Sequence, residues 1–167
     1  MKKQSVWLAI FVALGAAILM VTHSVALTIA TASVTFPDVF LTGYDQSVLG
    51  TTSPWQVDST DALDGWNATI SATNFENGYG GIIYVSNLEF RLLAENISLV
   101  SGNPLLPISA QTEFIPLSET ATKFISAESG SGDGIYNLLP EFRLRVPAET
   151  YAGSYLSTLT ITISAGP

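Results

Sequence analysis

The clearest structural signal in the sequence is the stretch Trp66-Asn67-Ala68-Thr69-Ile70-Ser71-Ala72-Thr73. Apolar residues occupy every second position, and asparagine, threonine or serine occupies the positions between them. Successive side chains of a β-strand point to opposite faces, so this alternation predicts a strand with one buried and one solvated face. Nothing after residue 26 carries a convincing helical period, so we expect an all-β fold.

The period of two recurs along the rest of the chain. Phe142, Leu144 and Val146 alternate with two arginines, and residues 155–163 alternate apolar residues with threonines. Residues 27–36 predict a threonine-rich first strand, residues 112–117 and 123–127 predict a pair of strands, and the glycine-rich residues 129–134 predict a loop. About ten short strands without intervening helices favour one domain over residues 27–167, a β-sandwich or Greek-key barrel-like fold.

Residues 1–26 have the organisation of a secretory signal peptide. Lys2 and Lys3 precede an apolar core at residues 6–21, and Ser24-Val25-Ala26 offers small residues for cleavage. The core is shorter than the roughly 20 apolar residues that span a bilayer, which disfavours the alternative of an uncleaved anchor. We therefore expect a secreted protein that starts at Leu27 and has no membrane segment after cleavage.

Cleavage after Ala26 would leave no cysteine and no histidine. Four cations would remain against fourteen acids, which gives a formal charge of −10. This inventory excludes thiol nucleophiles, Ser-His-Asp triads, histidine-ligated zinc and disulfides, and the acidic balance opposes nucleic acid binding. A glycosidase with two carboxylates remains as a catalytic alternative, but apolar surroundings single out no acid pair. The composition therefore predicts a binding or structural protein that is not an enzyme.

Two stretches of the sequence carry a resemblance to a known family, and the similarity covers essentially all of residues 27–167. The first runs from Trp55-Gln56-Val57-Asp58 to Gly65-Trp66-Asn67-Ala68, and the second runs from Gly153-Ser154-Tyr155 through Leu159-Thr160-Ile161-Thr162-Ile163. Together they resemble the WxL cell-wall-binding domain of Gram-positive surface proteins. Trp66 matches a signature tryptophan of that family, whereas Ala68, Ile161 and Ile163 stand in place of its leucine, tryptophan and leucine.

The resemblance implies a partner and a location. The protein is expected at the cell surface, where its β-sandwich would bind cell-wall peptidoglycan or another envelope glycan non-covalently, with other surface proteins as further partners. The alternative is a self-assembling subunit of a surface layer or fibre, in which the first or the last strand pairs with a neighbouring copy.

Aromatic residues are the candidate ligand-binding groups, because sugar rings pack their C–H faces on aromatic rings. Trp55 follows Pro54 and is expected to be exposed, so Trp55 with Tyr44 and Tyr79 is the preferred binding surface. Trp66 lies at an inward strand position, and two interpretations remain open for it: a core tryptophan or a ligand-stacking platform.

Three aspartates at three-residue spacing, Asp58, Asp61 and Asp64, are the candidate metal ligands. Calcium takes six to eight oxygen ligands, which a turn-rich loop of this kind can supply in part. The alternative is a solvated acidic turn without a metal. No other cofactor is expected.

Overall fold

The computed structural model of the protein describes residues 27–60 and 62–166. Within these residues the fold is nearly all β, with two short 3-10 helices at Val85–Asn87 and Ala94–Asn96, and no helix is long and apolar enough to cross a membrane. The predicted signal peptide at residues 1–26 lies outside the described residues. The strands are β1 Thr28–Ala30, β2 Gln46–Gly50, β3 Trp55–Asp58, β4 Trp66–Ala72, β5 Phe75–Glu76, β6 Ile82–Ile83, β7 Leu88–Arg91, β8 Ile97–Gly102, β9 Ile108–Ser109, β10 Ile115–Pro116, β11 Thr122–Ala127, β12 Gly134–Leu138, β13 Glu141–Val146 and β14 Leu159–Ala165.

Three antiparallel sheets of four strands pack together as a sandwich. The first sheet has the order β1-β3-β12-β8, the second β10-β7-β13-β2, and the third β14-β4-β11-β9, while β5 and β6 form a separate hairpin. The predicted all-β sandwich is confirmed. Among the described strands, no sheet closes into a barrel.

Strand β4 has the alternation that its sequence predicts. Trp66, Ala68, Ile70 and Ala72 are buried, while the residues between them are partly exposed. All seven residues of β4 pair with β14, and β11 pairs on its other side. Alternation of this kind fixes the register, because a slip of one residue would turn the apolar face towards solvent.

Four aromatic rings occupy the centre of the core and come from all three sheets. Trp55 lies on β3, Phe90 and Phe142 lie on β7 and β13, and Phe124 lies on β11. Their ring centroids are 5.4–6.3 Å apart, most of them edge to face, which is the arrangement that aromatic quadrupoles favour. Each ring is at most 1% exposed, so the cluster anchors the three sheets on one another.

Two predictions about the strands are wrong, one on which strands pair and one on the extent of the first strand. Residues 112–117 and 123–127 do not form a pair, because β10 joins β7 in the second sheet and β11 joins β4 and β9 in the third. The chain switches sheets between them, so Leu117 N–H donates to the Leu88 carbonyl and Ala72 N–H donates to the Ser118 carbonyl. The predicted first strand is also broken, into β1 and a single bridge between Thr35 and Thr51.

The predicted glycine-rich loop folds back over Trp66. Trp66 Nε1–H donates to the Gly132 carbonyl oxygen at 2.9 Å, and the Ser59 hydroxyl donates to the Gly134 carbonyl oxygen at 2.9 Å. Gly132 has φ of +68°, and a Cβ there would lie 2.1 Å from the Ala127 Cβ and 3.0 Å from Trp66 Nε1. Glycine is therefore required at this position for both backbone conformation and space.

A pair of glycine substitutions separates these two requirements. Gly130 also has positive φ, +78°, but no heavy atom lies within 4 Å of the position that its Cβ would take. Gly130→Ala should lower the free energy of unfolding by about 1–2 kcal/mol through backbone strain alone. Gly132→Ala should cost about 1–3 kcal/mol more, because the methyl group also displaces Ala127 and the Trp66 indole. Urea denaturation of both variants measures the difference; equal losses would contradict the close packing of this loop on Trp66.

Candidate functional site

The outer face of the second sheet carries three of the four cations found among residues 27–167. They are Arg91 on β7 and Arg143 and Arg145 on β13. Glu89 on β7 lies between the strands, with its side chain 6% exposed, and forms ion pairs with both Arg143 and Arg145. Glu89 accepts hydrogen bonds from both arginines and thereby fixes the positions of the two guanidinium groups.

A second ion pair extends this network across the same face. Arg91 donates to the Glu141 carboxylate at 2.8 Å, and the Asn96 side-chain amide donates to the same carboxylate at 3.0 Å. The guanidinium carbons of Arg91 and Arg143 lie 4.4 and 4.3 Å from the centre of the Phe114 ring, within cation–π distance. The outer face is therefore a fixed array of charges with an aromatic ring above it.

A polar cleft of about 400 Å³ lies at the end of this array where β2 and β7 begin and β13 ends. It is lined by Asp45, Gln46, Ser47, Asn87, Arg143, Arg145, Val146 and Pro147. Ser47 lies directly opposite Arg145 in the β2–β13 pairing, so both residues belong to the same face of the sheet. We call this feature the arginine cleft.

Several lining side chains hold the walls of the arginine cleft in place. Asp45 Oδ1 accepts from the Ala148 N–H at 2.9 Å, Gln46 Nε2 donates to the Phe40 carbonyl oxygen at 2.8 Å, and Asn87 Nδ2 donates to the Tyr84 carbonyl oxygen at 3.2 Å. Arg145 is different, because its side chain is 57% exposed and only its Nη2 is used by Glu89. The remaining N–H groups of Arg145 can therefore reach a ligand in the cleft.

Exposed tyrosines lie next to the arginine cleft in the chain. Tyr44 precedes Asp45 and is 78% exposed, and Tyr84 accepts the Asn87 hydrogen bond and is 65% exposed. Tyr79 is 96% exposed in the turn between β5 and β6, where its N–H donates to Asn77 Oδ1 at 2.9 Å. Exposed rings near a charged cleft can stack on sugar rings while the polar groups contact hydroxyl or carboxylate groups.

The sequence-predicted aromatic surface of Trp55, Tyr44 and Tyr79 does not form. Trp55 is 0% exposed, and the expectation that it is exposed is wrong because the residue after Pro54 begins β3 and points into the four-ring cluster. Trp66 is likewise 0% exposed and is a core tryptophan, so the ligand-stacking interpretation is wrong as well. Tyr44 and Tyr79 are exposed, as a binding role requires.

The structure describes two of the three candidate metal ligands. Asp58 Oδ1 accepts from the Thr60 N–H at 3.1 Å and from the Thr60 hydroxyl at 2.8 Å, so this carboxylate shapes a turn. Asp64 is exposed, and Asp61 lies outside the described residues. Within residues 27–60 and 62–166, no three acidic side chains come together as metal ligands. The calcium hypothesis, which needs Asp61, stays a prediction.

The sequence analysis missed the residues that form the arginine cleft. From the sequence, Arg143 and Arg145 were predicted only as the residues that alternate with Phe142, Leu144 and Val146. A signal was present, because three of four cations fall within two short segments of a strongly acidic chain. What the sequence did not give was the pairing of β7 with β13, which places Glu89 opposite Arg143.

Comparisons with known proteins place the chain in no family. No family model matches the sequence, and no curated protein matches it. A partial structural similarity exists to a chain described in work on glycolipid glycan hydrolysis by a family 123 glycoside hydrolase from Clostridium perfringens, with 13% sequence identity and a TM-score of 0.39. The similarity covers 73% of this chain and 18% of that chain.

Removal of the Glu89 charge tests how this face is organised. Glu89→Gln should lower the free energy of unfolding by about 1–3 kcal/mol, because two charge-assisted hydrogen bonds to a covered carboxylate are lost. Glu141→Gln is the matched control, since its side chain is 34% exposed and pairs with one arginine, and it should cost less than about 1 kcal/mol. Thermal denaturation of both variants gives the two values. A loss at Glu141 as large as that at Glu89 would contradict the central position of Glu89.

Proposed function

We propose that the protein binds cell-wall peptidoglycan non-covalently through the arginine cleft and the tyrosines beside it. The observation that carries this proposal is the partly exposed Arg145 guanidinium in a polar cleft, with Tyr44 and Tyr84 exposed next to its lining residues. Peptidoglycan offers both chemistries that this surface suits, since its acetylated sugars have apolar ring faces and its peptides carry carboxylates. No covalent step is needed.

Charge favours this part of the surface for a carboxylate. The protein from Leu27 on carries fourteen acids and four cations, so most of it repels an anionic ligand. Arg145 presents a planar group with parallel N–H donors, which matches the two oxygens of a carboxylate. Ser47 lies opposite it and supplies a hydroxyl group that can donate to the same ligand.

The expected location follows from the same proposal. A protein that binds the wall in this way acts outside the cell, which agrees with the predicted signal peptide at residues 1–26. Secretion and surface localisation remain predictions, and the WxL resemblance supports them only through the sequence motifs. The proposed binding mode differs from one based on tryptophan, because Trp55 and Trp66 are both in the core.

Co-sedimentation with purified peptidoglycan tests the proposal. Arg145→Gln and Tyr84→Ala should each weaken binding about tenfold, which corresponds to about 1.4 kcal/mol for a lost charged or stacking contact. Lys123→Gln is the control for charge, because Lys123 is the fourth cation and lies on β11 in the third sheet. Tyr151→Ala is the control for an exposed tyrosine, since Tyr151 is 75% exposed and its carbonyl oxygen accepts from Tyr155, whereas that of Tyr84 accepts from the cleft-lining Asn87.

Two outcomes of the co-sedimentation experiment would contradict the proposal. If all four variants pellet with the wall as the unmodified protein does, the arginine cleft is not the binding surface. If the protein itself stays in the supernatant at every concentration, the wall-binding proposal fails as a whole.

A further inference from the structure

Three uncharged stretches of the sequence contribute to two exposed apolar features of the fold. Residues 27–37, 96–112 and 150–167 contain no charged residue, although fourteen acids lie between and around them. The first and third stretches come together in the fold and enclose an apolar slot. The second stretch carries an exposed apolar loop at a different edge of the molecule.

The apolar slot lies beside the edge strand β14 and has a volume of about 390 Å³. β1 lies against β14 without pairing to it, and residues that follow β1 line the slot. One wall comes from residues 31–36 and the other from residues 156–161, and aromatic rings form the floor. The lining includes Val34, Phe36, Phe75, Phe142, Leu156 and Leu159.

Part of the backbone along the slot is available for pairing, although Thr35 and Leu156 are already paired with Thr51 and Glu76. β14 pairs with β4 through all seven residues and is the edge strand of its sheet among the described residues. On the opposite wall, Thr35 exchanges both backbone hydrogen bonds with Thr51, and the Ala32 carbonyl accepts only a long bond from the Thr52 hydroxyl at 3.5 Å. An extended segment that enters the slot can therefore add backbone hydrogen bonds to apolar contacts, as in strand addition at other sheet edges.

The exposed loop is Pro104-Leu105-Leu106-Pro107, which we call the leucine loop. Leu105 is 59% exposed and Leu106 is 42% exposed, and neither forms part of the core cluster. The two prolines favour an extended backbone for this loop. Because both leucines are partly exposed, docking of the loop against an apolar surface would bury apolar area that is now in contact with water.

Hydrogen bonds from behind hold the leucine loop in position. The Tyr136 hydroxyl donates to the Asn103 carbonyl oxygen at 2.9 Å, and Leu105 N–H donates to Asn103 Oδ1 at 3.0 Å. Burial, and after it the negative charge of Asp133, raises the pKa of Tyr136 above its ordinary value, so this hydroxyl stays protonated and continues to donate. The loop is therefore preorganised, which lowers the entropy lost when it docks.

The slot and the leucine loop lie at opposite edges of one sheet. The third sheet has the order β14-β4-β11-β9; the slot is beside β14, and the leucine loop leads directly into β9 at Ile108. Within one molecule the loop is separated from the slot by the width of the sheet. A contact between this loop and this slot therefore requires two molecules.

We propose that copies of this protein assemble head to tail, with the leucine loop of one copy inserted into the apolar slot of the next. No charged residue lines the slot or lies in the leucine loop, so these two surfaces do not themselves add to the repulsion between copies that carry a formal charge of −10. The contact joins two different surfaces, so it can repeat from copy to copy and produce a chain or a ring of subunits. This inference does not depend on wall binding.

Sedimentation velocity of the protein from Leu27 on, which holds every described strand, tests the assembly. We expect the mean mass to rise with concentration, and to rise further in about 0.5 M salt, which screens the repulsion between acidic copies. Leu105→Asp on the loop and Leu156→Asp at the mouth of the slot should each abolish growth. Leu156 is 80% exposed, so the charge there does not enter the core. Leu63→Asp, at a residue 64% exposed and outside both surfaces, carries the same change in charge and should assemble normally.

A mixture of the two assembly-deficient variants gives the decisive result. Leu105→Asp keeps an intact slot and Leu156→Asp keeps an intact loop, so an equimolar mixture should form dimers and nothing larger. A wild-type protein that stays monomeric up to about 1 mM, the weak limit of measurable affinity, would overturn the proposal. So would a mixture that remains monomeric while the unmodified protein assembles, because this would place the contact elsewhere or make it symmetric.

Discussion

The edge-to-face packing of Trp55, Phe90, Phe124 and Phe142 is the interaction on which the rest of the structure depends. The chain has no cysteine, so no disulfide can hold the three sheets together. Each of the four rings is at most 1% exposed, and together they connect β3, β7, β11 and β13. Burial of such large side chains provides much of the driving force for a domain of this size. Because the inner faces of the sheets form the core, the residues on their outer faces need not be apolar. Charged side chains and exposed tyrosines can therefore occupy these outer faces.

The buried carboxylate of Glu89 organises one of those outer surfaces. It fixes Arg143 and Arg145 on β13, and Arg145 keeps N–H groups that face the arginine cleft. The opposite situation holds at the edges of the third sheet, where charge is absent and apolar side chains remain exposed. One acidic molecule thus presents a localised cationic site and two uncharged apolar ones. The first suits an anionic or sugar ligand, and the other two suit each other.

The period of two was sufficient to predict some elements and insufficient for others. β4 and β13 were predictable because alternation over six or seven residues specifies which face is buried. The orientation of Trp55 was not predictable, because a strand of four residues next to a proline has too little alternation to indicate which of its faces is buried. The strand that pairs with β10 was not predictable either. The chain crosses from one sheet to another within a few residues, and the local sequence does not indicate this crossing. The arginine cleft depends on the β7–β13 and β2–β13 registers, and those are set by the packing of the whole core.

Side-chain nitrogen resonances offer the most direct test of where a wall ligand binds. The protein from Leu27 on contains two tryptophans and three arginines, so a ¹⁵N–¹H spectrum has two indole signals and three guanidinium Nε signals. Soluble peptidoglycan fragments should shift the Arg145 signal in a saturable manner and leave the indole signals of Trp55 and Trp66 in place. Saturable shifts of the indole signals with an unchanged Arg145 signal would contradict the account, and so would a spectrum that does not respond to the fragments at all.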